Sequence, residues 1–539
     1  MHEYRERVFA ERDRLIEAAA DGAARQRAVL ADLLAFNAGT EFGRRHGFDK
    51  IRTLDEFRKA VPINDYSALA PWIERMAGGE PNVLTADDPV VYFTSSGSTG
   101  DHKKIPVTAR FMHTSFFPFF YAAWAPLVEH FPEVISGRDK VLNLKHDPLP
   151  VPATTASGRP HLGASQVDFG VKFGEPLSAE PGTRASWATV PDVASGDHHE
   201  KAYLRLRRAV EGDVRCVIGI NPAMVAALPY QLDLWWERIV REIRDGTWGK
   251  RPYGTPNPER AAQLERLRAP VLPGHVWPNL KAVFCWTTGL ASLYLPRLRE
   301  ELGTGVSVLP APVAASEGPV GVALDRHGSA GTLVVTASVY EFVDADEPLE
   351  PDTATLEPHE LEPGREYHVI FSHVGGLYRY AVGDVVRVVD TSGGLPRVEY
   401  AGRATLSNAH GERLREAHVI RALGTALAAG GLEVRNAACR VSEGRYEFAL
   451  EPRLPWSERE TATLASRLDG ELAAVAPGYR AARVAGLLAP LAIHRVRPRT
   501  FLREWHDLVA AGTRPAQVKD RLFRRDEASW FRLLEGDHG

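Results

Sequence analysis

Three apolar segments, 214–220 (VRCVIGI), 280–286 (LKAVFCW) and 306–314 (VSVLPAPVA), constrain this chain more than any other feature. Each is short, mostly apolar and continuous rather than alternating, the pattern of strands buried on both faces. Helical patterns separate them. Asn221-Pro222 offers an N-cap and a first-turn residue for a helix running through Met224, Leu228 and Leu232 toward Ile243. Leu293, Leu295 and Leu298 belong to the next helix. Strand–helix–strand alternation at this spacing predicts an α/β fold whose sheet has parallel members.

The flanking regions follow other patterns. Residues 1–36 have helical periodicity, with Val8, Leu15, Ile16, Ala19, Val29, Leu33 and Leu34 on one buried stripe. Short helices are predicted around 53–60 and 66–76. A strand at 90–93 (VVYF) leads into a turn, and a helix is predicted from about Thr108. Residues 147–200, rich in Pro, Gly, Ser and Thr, read as loops. From 331 short β segments take over. Beyond Arg403 comes a small α+β pattern: helix 414–428, strands near 433–441 and 445–451, helix 457–475, strand 491–497 and helix 500–511. The expected division is a large domain, 1–402, and a small one, 403–539.

Composition narrows the functional classes. The 539 residues include 65 basic and 69 acidic side chains, a net charge of −4 that excludes a polybasic nucleic-acid binder. The most aromatic stretch, 111–131, is interrupted by His113, Pro118, Pro126, Glu129 and His130 and is too polar to span a bilayer, so no membrane partner is expected. The charged N-terminal segment does not read as a secretory signal. Cys216, Cys285 and Cys439 are odd in number and contain no CxxC pair, which points to a reducing compartment and a cytoplasmic location. Only 11 of the 65 basic residues are Lys, and Lys519 is the only one after Lys281. In such an Arg-dominated background a retained ammonium suggests a chemical requirement.

Four motifs carry candidate chemistry. Ser95, Ser96, Gly97, Ser98, Thr99 and Gly100, followed by Lys103 and Lys104, combine hydroxyl donors, flexible backbone and ammonium groups, which suits phosphate binding. The segment is expected between a strand and a helix and is neither a Walker A loop nor a nucleophile elbow. By itself it reads equally well as a surface turn. Ser316-Glu317 follows an apolar strand, where a carboxylate can hold Mg²⁺ or simply face water. Asp384 follows Gly383 between two expected strands, suited to accept ribose hydroxyls or to make a turn. Lys519 is the fourth.

The order of these motifs resembles the adenylate-forming superfamily of acyl-CoA ligases, peptide-synthetase adenylation domains and firefly luciferase. The chain is more similar to the Gretchen Hagen family of acyl acid amido synthetases, most closely its bacterial branch. Segments 37–48 (NAGTEFGRRHGF), 61–66 (VPINDY), 79–84 (GEPNVL) and 286–289 (WTTG) carry the resemblance, with Gly402-Arg403 and 411–416. It implies a large adenylate-forming N-terminal domain with mixed β-sheets and flanking helices, and a small mobile α+β domain. It also implies ATP and Mg²⁺ as cofactors. Ser95 to Gly100 with Lys103 or Lys104 would hold phosphates, with Ser316 beside Glu317, which would place Mg²⁺ and act catalytically. Asp384 would bind ribose, Arg403 would lie at the hinge, Arg413 would serve the second half-reaction, and Lys519 would reach the α-phosphate.

Three positions depart from the family pattern: Val313 in place of a Tyr, Ala381 in place of an Arg, and Asp520 after Lys519 in place of a Pro-containing segment. The expected activity is adenylation of a carboxylic acid, then acyl transfer to an amine, with an amino acid as the expected acceptor. Transfer to coenzyme A or a carrier thiol, and a non-catalytic adenylate-binding role, stay open at this point. The aromatic cluster Phe116, Phe117, Phe119, Phe120, Tyr121 and Trp124 is expected to be core more often than acyl pocket. His198-His199 reads as a loop without metal-ligand spacing.

Overall fold

In a computed structural model the backbone divides into two units, each assembled from two stretches of chain: 1–189 with 309–400, and 190–308 with 401–539. The structure describes residues 2–96, 102–149, 151–177, 179–190, 193–194, 196–325, 328–404 and 406–535, with the side chains of 95, 96, 102 and 535 excluded.

The first unit opens with helices His2–Ala20 and Gly22–Asn37. Asp21 separates them because its carboxylate caps the second helix, accepting from the Ala24 N–H at 3.2 Å. Val8, Leu15, Ala19, Leu33 and Leu34 are buried as expected, whereas Ile16 is half exposed, because it stands one position round the helix from the buried stripe of Val8, Glu11, Leu15 and Ala19. Thr53 and Glu56 form a capping box on helix Leu54–Ala60, and Asp65 caps helix Tyr66–Ala77.

The β-rich region forms a seven-stranded sheet. Its strands lie in the order Val313–Ala315, Gly318–Val322, Gly331–Leu333, Leu395–Arg403, Leu377–Ser392, Glu366–His373 and Val339–Asp344. The apolar run 306–314 is therefore not one strand: Ser307–Pro310 ends at a proline, and Val313–Ala315 begins this sheet. Proline has no N–H to extend a ladder, so Pro310 and Pro312 mark the break. Part of 147–200 is also regular, since Tyr92 and Phe93 pair in parallel with His161 and Leu162.

Five of the six residues in the aromatic cluster are buried, and Phe117 packs edge-on against Phe169 and Phe173. They fill the core beneath helix Phe117–Ala123. Trp124 Nε1 donates to the Ala179 carbonyl at 2.9 Å, satisfying the indole inside that core.

In the second unit, strands Cys216–Ile218 and Ala282–Cys285 pair in parallel. Asn221 caps helix Pro222–Asp245, with Pro222 at its first turn. The remainder follows the sequence pattern closely: helix Glu416–Gly430, strands Val434–Ser442 and Arg445–Pro452, helix Glu458–Val475, strand Ala492–Arg495 and helix Thr500–Ala510. Helices Pro477–Val484 and Glu527–Glu535 are additional. Leu423, Leu427, Leu464, Leu468, Phe448 and Leu450 share one core cluster. Each such side chain contributes about 1.5–3 kcal/mol by leaving water. His198 and His199 begin helix His198–Glu211 rather than a loop, because Asp197 caps its N-terminus.

Candidate active site

The lysine-bearing motif does not bridge a strand and a helix. It bridges two antiparallel strands, Val91–Ser96 and His102–Val107, in which Ser95 pairs with Lys103 and Thr94 with Lys104. Gly97, Ser98, Thr99 and Gly100 lie outside the described residues. The expected helix starts only after Thr108, which caps it. Alternation along the second strand sends the two ammonium groups to different partners. Lys104 Nζ pairs with both Glu74 oxygens at 2.7 Å. Lys103 Nζ lies 5.3 Å from the centre of the Tyr66 ring, a cation–π contact.

Tyr66 is brought there by its own segment. Asn64 bridges to Tyr380 in parallel: its N–H donates to the Arg379 carbonyl at 2.9 Å, and its carbonyl accepts from the Ala381 N–H at 2.8 Å. The Asn64 amide donates to the Tyr378 carbonyl at 2.9 Å. Arg379 secures the same seam from inside. It is 3% exposed with φ +43°, pairs with Glu341 at 2.9 Å, and donates to the Val61 carbonyl at 2.8 Å. Segment 61–66 is thereby stitched to the strand that carries Tyr380.

Ser316 and Glu317 form the two-residue connection between Val313–Ala315 and Gly318–Val322, where Ala315 pairs with Gly318. Glu317 is 5% exposed. Tyr380 Oη approaches its carboxylate at 3.5 Å. Burial raises the Tyr380 and Tyr66 hydroxyl pKa values, and the Glu317 charge adds to both shifts, so both phenols remain protonated; the Tyr66 oxygen accepts from the Lys104 N–H at 2.8 Å. Asp65 is also subject to burial, but the Ser67 hydroxyl, the Ala68 and Ser67 N–H groups and the Lys103 charge outweigh it and lower its pKa.

His373 fixes the backbone of this turn. It is fully buried and stacks on Phe111 with ring centres 4.2 Å apart. Burial lowers its pKa to about 4, so the imidazole is neutral near pH 7. Its Nδ1 accepts from the Gly375 N–H at 3.1 Å, which leaves Nε2–H to donate to the Glu317 carbonyl at 2.9 Å.

Asp384 is not between two strands. It lies within the long strand Leu377–Ser392, at a bulge. His368 faces Val385 and Ile370 faces Ala381, so 382–384 bulge opposite Val369. Gly383 takes φ +81° there, a backbone conformation that glycine adopts readily.

The other predicted residues belong to the second unit. Arg403 ends strand Leu395–Arg403, is exposed, and donates its N–H to Glu416 Oε2 at 3.3 Å. Arg413 is exposed in a left-handed conformation, φ +45°, its N–H donating to Asn408 Oδ1 at 3.2 Å. Buried Glu412 shapes that loop by accepting from the N–H groups of Ala409 and His410 at 2.8 and 2.6 Å. Lys519 is exposed, with its ammonium 5.1 Å from the Trp286 ring centre. Asp520 accepts from Tyr294 Oη at 2.7 Å and Asn436 Nδ2 at 2.9 Å.

The first unit thus brings together Lys103, Ser316 and Glu317 with Tyr66, Tyr380 and His373. Sequence reasoning did not single out these last three side chains. Tyr66 ends segment 61–66 and Tyr380 directly precedes Ala381, but His373 had only a strand pattern around it.

Sequence patterns described as the GH3 family N-terminal, central and C-terminal domains match residues 11–307, 331–403 and 417–527 in that order. The chain belongs to the GH3 family. Among GH3 relatives, the probable indole-3-acetic acid-amido synthetase GH3.12 of Oryza sativa subsp. japonica is 28% identical over 440 residues, covering 72% of this chain and 70% of its own. The jasmonoyl–L-amino acid synthetase GH3.5 of the same plant is 24% identical, covering 93% of this chain and 92% of its own. The solved structure of AtGH3.15 acyl acid amido synthetase in complex with 2,4-DB has a TM-score of 0.83 at 21% identity, covering 99% of this chain and 96% of that one. It shares the mixed α/β fold.

Proposed function

We propose that this GH3 chain is an ATP-dependent acyl acid amido synthetase of the adenylate-forming superfamily, in the family's bacterial branch. The observation that carries the reading is the Glu317 turn. It is a buried carboxylate with its backbone held by His373 and the Tyr380 phenol beside it, on the sheet to which the segment carrying Tyr66 and its Lys103 contact is stitched. The names of the GH3 relatives support the substrate class, a small carboxylic acid joined to an amino acid.

The chemistry needs activation because oxide is a poor leaving group. A carboxylate oxygen of the acid displaces pyrophosphate from the α-phosphorus of ATP, giving acyl-AMP. The amine nitrogen then attacks the acyl carbon, the C–O bond to AMP breaks with its electron pair, and the nitrogen loses a proton. Charge develops on phosphoryl oxygens in the first step, so oriented donors and cations dominate the stabilisation. We assign Ser95 to Gly100 and Lys103 to the phosphates, Asp384 to the ribose, and Arg403 and Arg413 to the nucleotide in the two half-reactions. Lys519 supplies the adenylation ammonium, carried by the small domain 403–539.

Magnesium typically binds through one or two carboxylates plus substrate phosphates and keeps several waters. Glu317 fits that demand as a single hard-oxygen donor, and among the described residues no larger metal-ligating cluster is present. When bound there, Mg²⁺ would neutralise phosphate charge. All three cysteines are buried free thiols, which supports a reducing, cytoplasmic setting. Among the described residues no helix is long and apolar enough to cross a membrane.

The test is incubation of the purified chain with carboxylic acids, amino acids, ATP and Mg²⁺, read by mass spectrometry. An amide with AMP and pyrophosphate is expected. Formation of ADP, or of an acyl thioester when coenzyme A is added and no amide with any amine, would overturn the reading. Lys519→Ala is expected to lower pyrophosphate exchange by roughly 10²–10³-fold, by analogy with loss of an oxyanion donor.

A further inference from the structure

Lys519 sits in a segment whose backbone belongs to neither helix nor strand. A four-carbon side chain on such a segment gives the ammonium little positional definition unless its neighbours are held. Both are. On one side, the Val518 carbonyl accepts from Asn221 Nδ2 at 2.6 Å. The other end of that amide, Oδ1, caps helix Pro222–Asp245 through the Ala223 N–H at 3.1 Å, so the donor cannot turn away without uncapping the helix. On the other side, the two oxygens of Asp520 are divided between Tyr294 Oη at 2.7 Å and Asn436 Nδ2 at 2.9 Å.

Downstream, the Leu522 carbonyl accepts from the Cys439 N–H at 2.7 Å, and the Arg524 N–H donates to the Cys439 carbonyl at 2.8 Å. The strap is thus held on both sides of the lysine. Tyr294, 2% exposed, directly follows the short helical turn Gly289–Leu293. Trp286, against whose ring the ammonium lies, stands just before the same turn. One turn therefore supplies both the surface under the ammonium and the anchor for the following residue.

We infer that Tyr294 and Asp520 are positioning residues for adenylation: their hydrogen bond, with that of Asn221, holds the strap so that the Lys519 ammonium has a defined place on its own unit for the first half-reaction. The inference rests on the assignment of Lys519 to adenylation. A residue that merely stabilised the fold would affect both half-reactions alike, whereas a positioning residue acts on the first alone.

The test separates the two steps. Acid-dependent ATP–pyrophosphate exchange reads adenylation, and amide formation from supplied acyl-adenylate and amine reads transfer. Tyr294→Phe removes only the hydroxyl. It is expected to lower kcat for exchange roughly ten-fold, the effect of losing one hydrogen bond to a charged group, with KM for ATP and the transfer rate within about two-fold of the parent. Asp520→Ala should lower exchange at least as far. Asp520→Asn should restore most of it, because an amide can accept from Asn436 while donating to the Tyr294 oxygen. Should Asp520→Ala fail to fold, Tyr294→Phe with Asp520→Asn decides. Unchanged exchange in Tyr294→Phe while Lys519→Ala loses it would overturn the positioning role and leave the lysine assignment standing. Equal losses in both half-reactions would also overturn it. Full exchange in Lys519→Ala would overturn the underlying assignment instead.

Discussion

Replacing His373 with Phe separates two effects of one buried imidazole. Phenylalanine keeps the stack on Phe111 but removes the donor to the Glu317 carbonyl and the acceptor from the Gly375 N–H. Each backbone group left buried without a partner costs about 1–3 kcal/mol, so the variant should be less stable than the parent at pH 8. The parent has an opposing cost at lower pH. Its folded-state pKa is about 4, whereas an unfolded histidine titrates near 6.5. The stability associated with the neutral ring is fully present above about pH 6.5 and is lost as the pH falls toward 4, because the unfolded chain takes up a proton that the folded one does not. At pH 5 that amounts to about 2 kcal/mol. The Phe variant has no such loss at this position, and its deficit should narrow by about 2 kcal/mol between pH 8 and pH 5. Urea unfolding of both proteins across this range measures the gap. A gap independent of pH would refute the buried neutral imidazole. Pyrophosphate exchange by the variant should also fall, since the Ser316–Glu317 turn loses its internal anchor.

Arg379→Met should destabilise the chain by about 3–5 kcal/mol in urea unfolding, because Glu341 is 1% exposed and among the described residues would keep only Arg58 as its ion-pair partner. The double variant Arg379→Met/Glu341→Leu should recover much of that loss. Glu317→Gln, which keeps size but removes charge, should raise the Mg²⁺ concentration needed for half-maximal exchange while leaving the unfolding midpoint near the parent's. Gly383→Ala should cost about 1–2 kcal/mol because an L-residue is strained at φ +81°, and by moving the Asp384 bulge it should raise KM for ATP.

How legible each part was depended on the range of the interactions that made it. Helix 457–475 and its neighbours were readable because capping and periodicity are local: Ser457 and Glu460 form a capping box within one turn. The same holds for Asn221-Pro222. The run 306–314 misled because its apolar character outweighed two prolines that end one strand and precede the next. The lysine motif misled because Lys103 and Lys104 carry no apolar signal of their own, and pairing with Ser95 and Thr94 makes that segment a strand. His373 had no local signature, since its role depends on a carbonyl 56 residues away.

The sequence by itself determined the α/β class, most element boundaries in 403–539, the order of the candidate chemical residues and the single late lysine. Those follow from periodicity, capping and residue chemistry, which act over a few positions. Only the tertiary structure decided that Glu317 lies beside Tyr380, that segment 61–66 is stitched to the strand at 377–392, and that Asp384 sits on a bulge. It also decided that the lysine strap is held by Asn221, Tyr294 and Asn436. These arrangements join residues tens to hundreds of positions apart, through hydrogen bonds and buried charge whose worth arises only once the intervening chain has excluded water.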